Sequence, residues 1–327
     1  MDISGSVVLV TGGSGLIGSH TVDRLLREDV ERVIVFDKVI NKRSLENAMR
    51  SRKVNILQGD IFNFQDVEAA AKGVDFVFHF AAMLLYSSVK DPRGCLRDNI
   101  NGTFNLLEII SKYRVKKLVF ASSIAVYGSS REKVLMTEDY PFNNRTIYGA
   151  SKIAGEQFCR IFHDMTGLKY VALRYSSVYG PRQHLQGVYP RLIVQALKRI
   201  EKGLSPQSEG TGEEVQDFVY VEDVAEANIL ALKNDVDDEA INIASGKPAT
   251  VRELIQTLID LTNPKLEIEF VPVPEKTYLP SRWISIEKAK RLLGFEPKTD
   301  LKTGLKKVIE WWQQSVRYSK EQGEEHE

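Results

Sequence analysis

Three pairs in this sequence place a tyrosine four residues before a lysine: Tyr86/Lys90, Tyr113/Lys117 and Tyr148/Lys152. On a helix such residues share a face, and an ammonium beside a phenol favours the phenolate, so the pair suits proton transfer at a hydroxyl. Moving a phenol from about 10 to about 7 takes roughly 4 kcal/mol. One neighbouring cation supplies about 1 to 3 pKa units, so the lysine alone is marginal. Spacing does not choose among the three pairs, but context does. Tyr113/Lys117 straddles the end of the helical segment Asn101 to Lys112 and the start of the apolar run Lys117 to Ala121, and reads as a surface pair that need not share a face. Tyr86/Lys90 lies in a Ser-rich segment ending at Asp91-Pro92, where the residue before proline is pushed out of the helical region; it reads as pocket lining, not as a base. Tyr148/Lys152 opens a well-patterned helix through Phe162 and is the candidate pair. Ser122 and Ser123 end the apolar run that starts at Lys117. A hydroxyl there could share a substrate hydroxyl with Tyr148, although two serines at a strand end also fit turn chemistry.

The elements that would position these residues read as apolar runs near 7–11, 32–36, 54–58, 75–80, 116–121 and 169–174, alternating with amphipathic segments. That alternation predicts a doubly wound α/β fold, a parallel sheet covered on both faces, with ligands beyond the carboxyl ends of its strands. The first run leads into Thr11-Gly12-Gly13-Ser14-Gly15-Leu16-Ile17-Gly18, which satisfies both Gly13-x-Gly15-x-x-Gly18 and Gly12-x-x-Gly15-x-x-Gly18. A glycine turn from strand to helix lets backbone approach a pyrophosphate at the helix N-terminus, the signature of a dinucleotide site. Asp37 ends the next strand, 19 residues past Gly18, where an acid binds both hydroxyls of the adenosine ribose. A carboxylate there repels a 2′-phosphate, which favours NAD over NADP. Asp60, in Gly59-Asp60-Ile61 after the third run, could bond the adenine amino group, or be a turn or cap residue. The small residues Ala81 and Ala82 follow Phe80 where the cofactor would cross the strand ends.

After Arg174 the pattern changes to Gly180-Pro181, Tyr189-Pro190, a loop from Gly203 to Glu214, and Pro264, Pro272, Pro274 and Pro280. We therefore expect a dinucleotide domain over 1–174, joined by 217–245 folding back, and a smaller mixed α/β substrate domain over 175–327. The charged tail Glu321 to Glu327 reads as a frayed end.

With 327 residues, 43% of them apolar, the chain can build a substantial core. Lys+Arg and Asp+Glu both number 44, so no basic footprint marks nucleic acid as a partner. No stretch approaches membrane-span length and the N-terminus lacks a signal-like pattern, which together predict a cytoplasmic protein. Two cysteines, Cys95 and Cys159, and histidines at 20, 79, 163, 184 and 326 without ligand-like pairing predict no metal site.

Several segments in order resemble the extended short-chain dehydrogenase/reductase family, in particular its NAD-dependent sugar-nucleotide epimerase/dehydratase branch. They are the turn at 11–18, His-Phe-Ala-Ala at 79–82, Asn-Ile-Asn-Gly-Thr at 99–103, Ala-Ser-Ser-Ile-Ala-Val-Tyr-Gly at 121–128, Tyr-Gly-Ala-Ser-Lys at 148–152, Leu-Arg-Tyr at 173–175 and Val-Tyr-Gly-Pro-Arg-Gln at 178–183. The resemblance implies a Rossmann sheet with Ser123, Tyr148 and Lys152 as the catalytic set. It implies NAD contacts from Gly12, Gly15, Leu16, Ile17, Gly18, Asp37, Lys38, Asp60, Ile61, Phe80, Ala81, Ala82, Asn99, Tyr175 and Val178, and from Tyr148 and Lys152 themselves. Ser122 would lie beside the nicotinamide, and Asn99 would support the active-site region. Ser123, Tyr148, Ser177, Gln216 and Arg282 would face a nucleotide-sugar substrate, UDP-linked in the usual case. A homodimer through helices 99–112 and 148–164 is also implied.

Dehydrating and decarboxylating members usually carry an acid just after the catalytic Ser or Thr; here Ile124-Ala125 stands there. That points to 4-epimerisation through a transient 4-keto sugar. The sequence departs from the family at Ser177, where Asn is common, and at Gln216, where Arg is common. Both usual residues meet the diphosphate, so the nucleotide stays open. Arg282 resembles a diphosphate-binding arginine of the family, while Arg182 and Arg191 read as solvated. The alternatives are a net NAD-dependent oxidoreductase on a sugar or smaller alcohol or ketone, and a non-catalytic NAD sensor on the same fold.

Overall fold

The computed structural model describes the chain except residues 131–132, 184–187, 274–280 and 323–327, and describes only the backbone of 188–190 and 316–322. Pro274, Pro280, His184, His326 and most of the charged tail lie outside the described residues.

Seven strands form the central sheet: β1 Val7–Thr11, β2 Arg32–Asp37, β3 Val54–Gln58, β4 Phe76–His79, β5 Lys117–Ser123, β6 Lys169–Tyr175 and β7 Glu239–Ile243. Their order is β7-β6-β5-β4-β1-β2-β3, and every pairing is parallel. Parallel strands joined by helices must bury both faces, and alternate residues do so: Val8, Val10, Val33, Val35, Phe76 and Phe78 enter one core, and Leu9, Ile34, Phe36, Val77, Leu118 and Phe120 the other. Each such side chain contributes about 1.5–3 kcal/mol by leaving water.

Helices α1 Leu16–Leu25, α2 Phe64–Ala71, α3 Gly102–Lys112 and α4 Ile147–Thr166 are followed by α5 Val188–Glu201, α6 Val221–Lys233, α7 Val251–Thr262 and α8 Leu301–Gln322. The first core lies under α1 and α6, the second under α2, α3 and α4. A third core joins α5, α7 and α8 around Tyr179 and Tyr220. β7 extends the sheet beside β6, so the segment after Gln216 returns to the central sheet through α6. Helix α1 stops at Leu25. Among the described residues no helix is long and apolar enough to cross a membrane.

Candidate active site

The turn after β1 is held by its own backbone. Gly12 has φ of +65°, donates its N–H to the Phe36 carbonyl, and lies so close to β4 that a Cβ would stand 2.6 Å from the Ala81 nitrogen. A Cβ on Gly18 would meet the Gly12 carbonyl oxygen and lie 2.7 Å from the Gly13 Cα. Gly15 is different: its Cβ would meet only the Gly12 carbonyl oxygen, at 3.3 Å. A side chain at position 15 would therefore crowd that one carbonyl by only a few tenths of an ångström, far less than at 12 or 18. Gly15 also caps α1, whose first turn has neither a side-chain cap nor an acid. Leu16, Ile17 and Gly18 follow it there, so the turn is an open cradle of N–H groups that fits a pyrophosphate.

Asp37 closes the turn from β2. Its Oδ2 accepts the Ser14 N–H at 3.0 Å and the Ser14 hydroxyl at 2.8 Å, and Oδ1 accepts the Val39 N–H at 3.3 Å. Asp60 pairs with Lys38 at 3.0 Å and Arg97 at 3.6 Å and caps the Phe62 N–H. Desolvation works to raise its pKa, yet the Phe62 N–H and the two cations outweigh that and hold it below the usual carboxylate value. Asp60 thus has three partners of its own before any adenine approaches. Ile61 is buried beneath Gly102. Phe80, Ala81 and Ala82 are half-buried beyond β4, beside the glycine turn. The Tyr175 hydroxyl donates to Asn228 Oδ1 at 2.6 Å, and Asn228 in turn donates to Thr21 on α1 at 2.8 Å. Val178, half-buried, lies in the short strand Ser177–Tyr179, parallel to Phe218–Tyr220.

Tyr148 sits in the first turn of α4, fixed by a layered cap. Thr146 accepts the Gly149 N–H at 3.0 Å and donates its hydroxyl to Asn144 at 2.8 Å. The Tyr148 phenol lies by Ser123 at the end of β5, whose hydroxyl favours the phenolate, and Ser123 accepts the Ala125 N–H at 3.1 Å. Lys152, one turn along α4, is 5% exposed. Its Nζ lies 5.6 Å from the centre of the Tyr148 ring and 5.3 Å from that of Phe120. The structure therefore brings Ser123, Tyr148 and Lys152 together at the carboxyl end of the sheet.

Burial pushes Tyr148 up to about 12, against the Ser123 hydroxyl, which lowers it. Burial likewise lowers Lys152 to about 8. An enclosed site penalises both charged forms, and one cation does not offset that for the phenol.

Ser122 and Ser123 alternate across the sheet, so their hydroxyls part. Ser122 is buried and its hydroxyl bonds Glu156, one turn beyond Lys152, instead of facing the opening. Asn99 lies in a π-helical turn, Leu96–Asn101, of the kind that often marks functional segments. It braces the site from behind, bonding both backbone groups of Met83 at 2.7 and 3.0 Å and donating to Ser151 Oγ at 3.0 Å.

Sequence reasoning missed a buried relay through His79. Ala81 N–H donates to Thr11 Oγ1 at 3.3 Å, which lies 2.7 Å from His79 Nδ1; His79 Nε2 lies 2.9 Å from Thr103 Oγ1, which donates to the Asn99 carbonyl at 2.7 Å. Because Thr103 spends its proton on Asn99, the chain closes only if Nε2 carries the ring proton. Burial, helped by the charge on Lys152, lowers His79 to about 3 and keeps it neutral. A histidine inside the apolar run of β4 was the available signal.

On the substrate side, Ser177 Oγ lies 3.2 Å from Gln216 Oε1. Gln216 and Arg282 are both buried, and the Arg282 N–H donates to the Val215 carbonyl at 2.9 Å while its Nε donates to the Gly128 carbonyl at 2.6 Å. Ser177 and Gln216 thus form a pair, and the Arg282 backbone is tied to the strand Val215–Gln216 beside it. Arg182 is not solvated as expected: its Nη2 pairs with Asp23 on α1 at 2.6 Å. Arg191 stacks over the Tyr86 ring at 4.7 Å.

The two rejected tyrosine pairs also hold corrections. Leu85–Lys90 is helical and brings Lys90 Nζ to 4.6 Å from the centre of the Tyr86 ring; Pro92 acts only on Asp91, where the helix ends. Tyr113 and Lys117 do not share a face, but Lys117 is fully buried, not at the surface. Its ammonium donates to the carbonyls of Ala231 at 2.7 Å and Asn234 at 2.8 Å, at the C-terminus of α6.

A family model described as the NAD dependent epimerase/dehydratase family matches residues 8–244. The chain is 32% identical to the UDP-glucose 4-epimerase of Halalkalibacterium halodurans, covering 93% of this chain and 95% of that one. The UDP-glucose 4-epimerase of Thermotoga maritima, solved with UDP-glucose, superposes with a TM-score of 0.87 at 33% identity, covering 95% of this chain and 99% of that one. A dTDP-glucose 4,6-dehydratase of Streptomyces venezuelae, with NAD and TYD bound, gives 0.87 at 27% identity, covering 95% and 98%.

Proposed function

We propose, from the premise that this chain belongs to the NAD dependent epimerase/dehydratase family, that it is a nucleotide-sugar 4-epimerase. The chain is an NAD-dependent enzyme on sugar nucleotides, and the finer assignment rests on its own site. The observation that carries it is the Tyr148 phenol beside Ser123 with Lys152 alongside, followed at 124 and 125 by two buried apolar residues.

The open cradle at Gly15 and the acceptor oxygens of Asp37 fit the pyrophosphate and ribose of NAD. When bound, NAD+ supplies a hydride acceptor beside the sugar carbon and a positive charge beside the phenol. Tyr148 Oη takes the proton of the sugar C4 hydroxyl, with Ser123 Oγ sharing that hydroxyl. At about 12, ionising Tyr148 at neutral pH costs about 7 kcal/mol, so Lys152 and the cofactor charge must act together. Ile124 and Ala125 offer no carboxylate to draw a proton from the carbon next to the ketone, so elimination has no base at that point. The keto sugar then turns its other face; the hydride taken from C4 would return to that face, which inverts C4, while Tyr148 Oη gives the proton back to the C4 oxygen.

Incubating the protein with a panel of nucleotide sugars under proton NMR tests this reading. Inversion at C4 without NADH release is expected. NADH accumulation would favour the net oxidoreductase, and full activity of Tyr148→Phe would remove Tyr148 from the chemistry.

The same reading includes a homodimer in the cytoplasm. Helices α3 and α4 expose Phe104, Ile161 and Met165, with the Phe104 ring edge-on to Phe158 and Phe162 at 5.6 and 5.4 Å. Sedimentation of Ile161→Glu should show monomers where the parent sediments as a dimer.

A further inference from the structure

We propose that Glu156 is a positioning residue for proton transfer: clamped by Ser122 and Arg174, it locks the helix carrying Tyr148 and Lys152 to the strand end carrying Ser123. The inference rests on reading Tyr148 and Lys152 as the proton-transfer pair.

Tyr148, Lys152 and Glu156 are spaced four apart on α4 and share one face. Across the sheet, Ser122 of β5 is the register partner of Arg174 of β6, and Ser123 is the partner of Tyr175. The side chains of Ser122 and Arg174 converge on one carboxylate. Glu156 Oε1 accepts from Ser122 Oγ and from Arg174 Nε at 2.9 Å, and Oε2 accepts from Arg174 Nη2 at 2.7 Å. Glu156 and Arg174 are each 5% exposed. The rest of the arginine fork is also engaged: Nη1 donates to the Tyr127 hydroxyl at 2.8 Å and to the Glu138 carbonyl at 2.9 Å. The Tyr127 hydroxyl donates to Asn242 of β7 at 2.7 Å. One carboxylate thus ties α4 to two neighbouring strand ends, each a single residue from a group at the site.

The clamp also reaches Lys152 through its charge. The groups facing that ammonium are Tyr148, Glu156 and Cys159 on its own helix, Cys95 from the segment Pro92–Cys95, and His79 from β4, which is neutral. Tyr148 and both cysteines are held protonated by burial. Glu156 is the carboxylate among them, and it works to raise Lys152 against the burial that lowers it to about 8. Removing its charge while Arg174 stays must move Lys152 lower still.

The test uses the full-length protein with NAD bound. Glu156→Gln keeps the shape and an acceptor for Ser122 but removes the charge, and Ser122→Ala removes one arm of the clamp with the charge intact. Lys152 is titrated by NMR of labelled lysine side chains, without substrate, and kcat and KM are followed across pH. In Glu156→Gln we expect Lys152 to titrate about one unit lower, kcat to fall about tenfold or more with its alkaline limb moving the same way, and KM to stay within about twofold. Ser122→Ala is expected to lower kcat several-fold with Lys152 unmoved. An unshifted Lys152 in Glu156→Gln, or unchanged kcat in both variants, overturns the proposal. If Glu156→Gln does not fold, Ser122→Ala and Glu156→Asp carry the test, the second keeping the charge and Lys152's titration while losing rate. A wild type that inverts no sugar while Lys152 still shifts in Glu156→Gln defeats the functional reading and supports the clamp.

Discussion

Ser177 and Gln216, the two positions at which the substrate side departs from the family pattern, are hydrogen-bonded to each other at 3.2 Å. A departure at one is therefore matched at the other: a serine hydroxyl meets a neutral amide in a place too enclosed to hold an unpaired polar group cheaply. If the two read the diphosphate as one unit, Ser177→Ala and Gln216→Leu should not add. A double-mutant cycle on KM for the nucleotide sugar should show a coupling of about 0.5–3 kcal/mol. Additive effects would mean that the residues act separately.

Gly15 and Gly18 separate folding from cofactor binding. In Gly18→Ala the new carbon would collide with backbone at Gly12 and Gly13, which cannot yield as a side-chain end can, so a loss of about 3 kcal/mol or more is expected. Gly15→Ala has an ordinary φ of −73° and one 3.3 Å neighbour, and its thermal unfolding without cofactor should stay within about 1 kcal/mol of the parent. Its affinity for NAD, measured by calorimetry, should drop at least about tenfold because the methyl fills the cradle. Wild-type NAD affinity in Gly15→Ala would refute that placement of the pyrophosphate.

Tyr148 and Lys152 make a prediction that depends on the cofactor. The phenol lies high because it is enclosed, at about 12, and only a second cation brings it toward neutrality. Ultraviolet titration, with Tyr148→Phe subtracted, should place Tyr148 near that value without cofactor and below 10 with NAD+ bound. Tyr148→Phe should lower kcat by about 10² to 10⁴ with KM little changed. An identical Tyr148 titration in both states would leave the phenol without its activating charge.

What could be read from the sequence was what is local in it. The turn at Gly12 to Gly18, Asp37 at a strand end and the Tyr148/Lys152 spacing each lie within one element or one junction, where period and spacing carry the information. The His79 relay and the Glu156 clamp join β1, β4, β5, β6 and α4, so their members are scattered between Thr11 and Arg174. Each looks alone like an odd polar residue in an apolar run. Ser122 and Ser123 were adjacent in sequence and parted by the pleat. Arg182 read as solvated because its partner, Asp23, lies on α1 in the other half of the chain.

Lys117 was misread for the same reason, since the helix end that covers it arrives more than a hundred residues later, and its burial sets a pH dependence of stability. Desolvation lowers it from 10.5 to about 8, against the weaker pull of Asp237 and Asp235. Between those values the unfolded chain binds more protons than the folded one, so this residue makes stability rise with pH across that window. Below about 8 the lysine is charged in both states and the full cost of burying the ammonium is borne; above about 10.5 it is neutral in both and that cost is gone. The full span is worth about 3 kcal/mol. Lys117→Met cannot titrate, and it leaves the Ala231 and Asn234 carbonyls without this donor. The stability of the parent relative to Lys117→Met, from thermal unfolding at a series of pH values, should therefore increase from about pH 8 to about pH 10. Lys152 is lowered in the same direction, but it is present in both proteins and cancels. A difference that stays flat across the window would show that the buried ammonium keeps its ordinary pKa, and that the α6 carbonyls compensate its lost hydration in full.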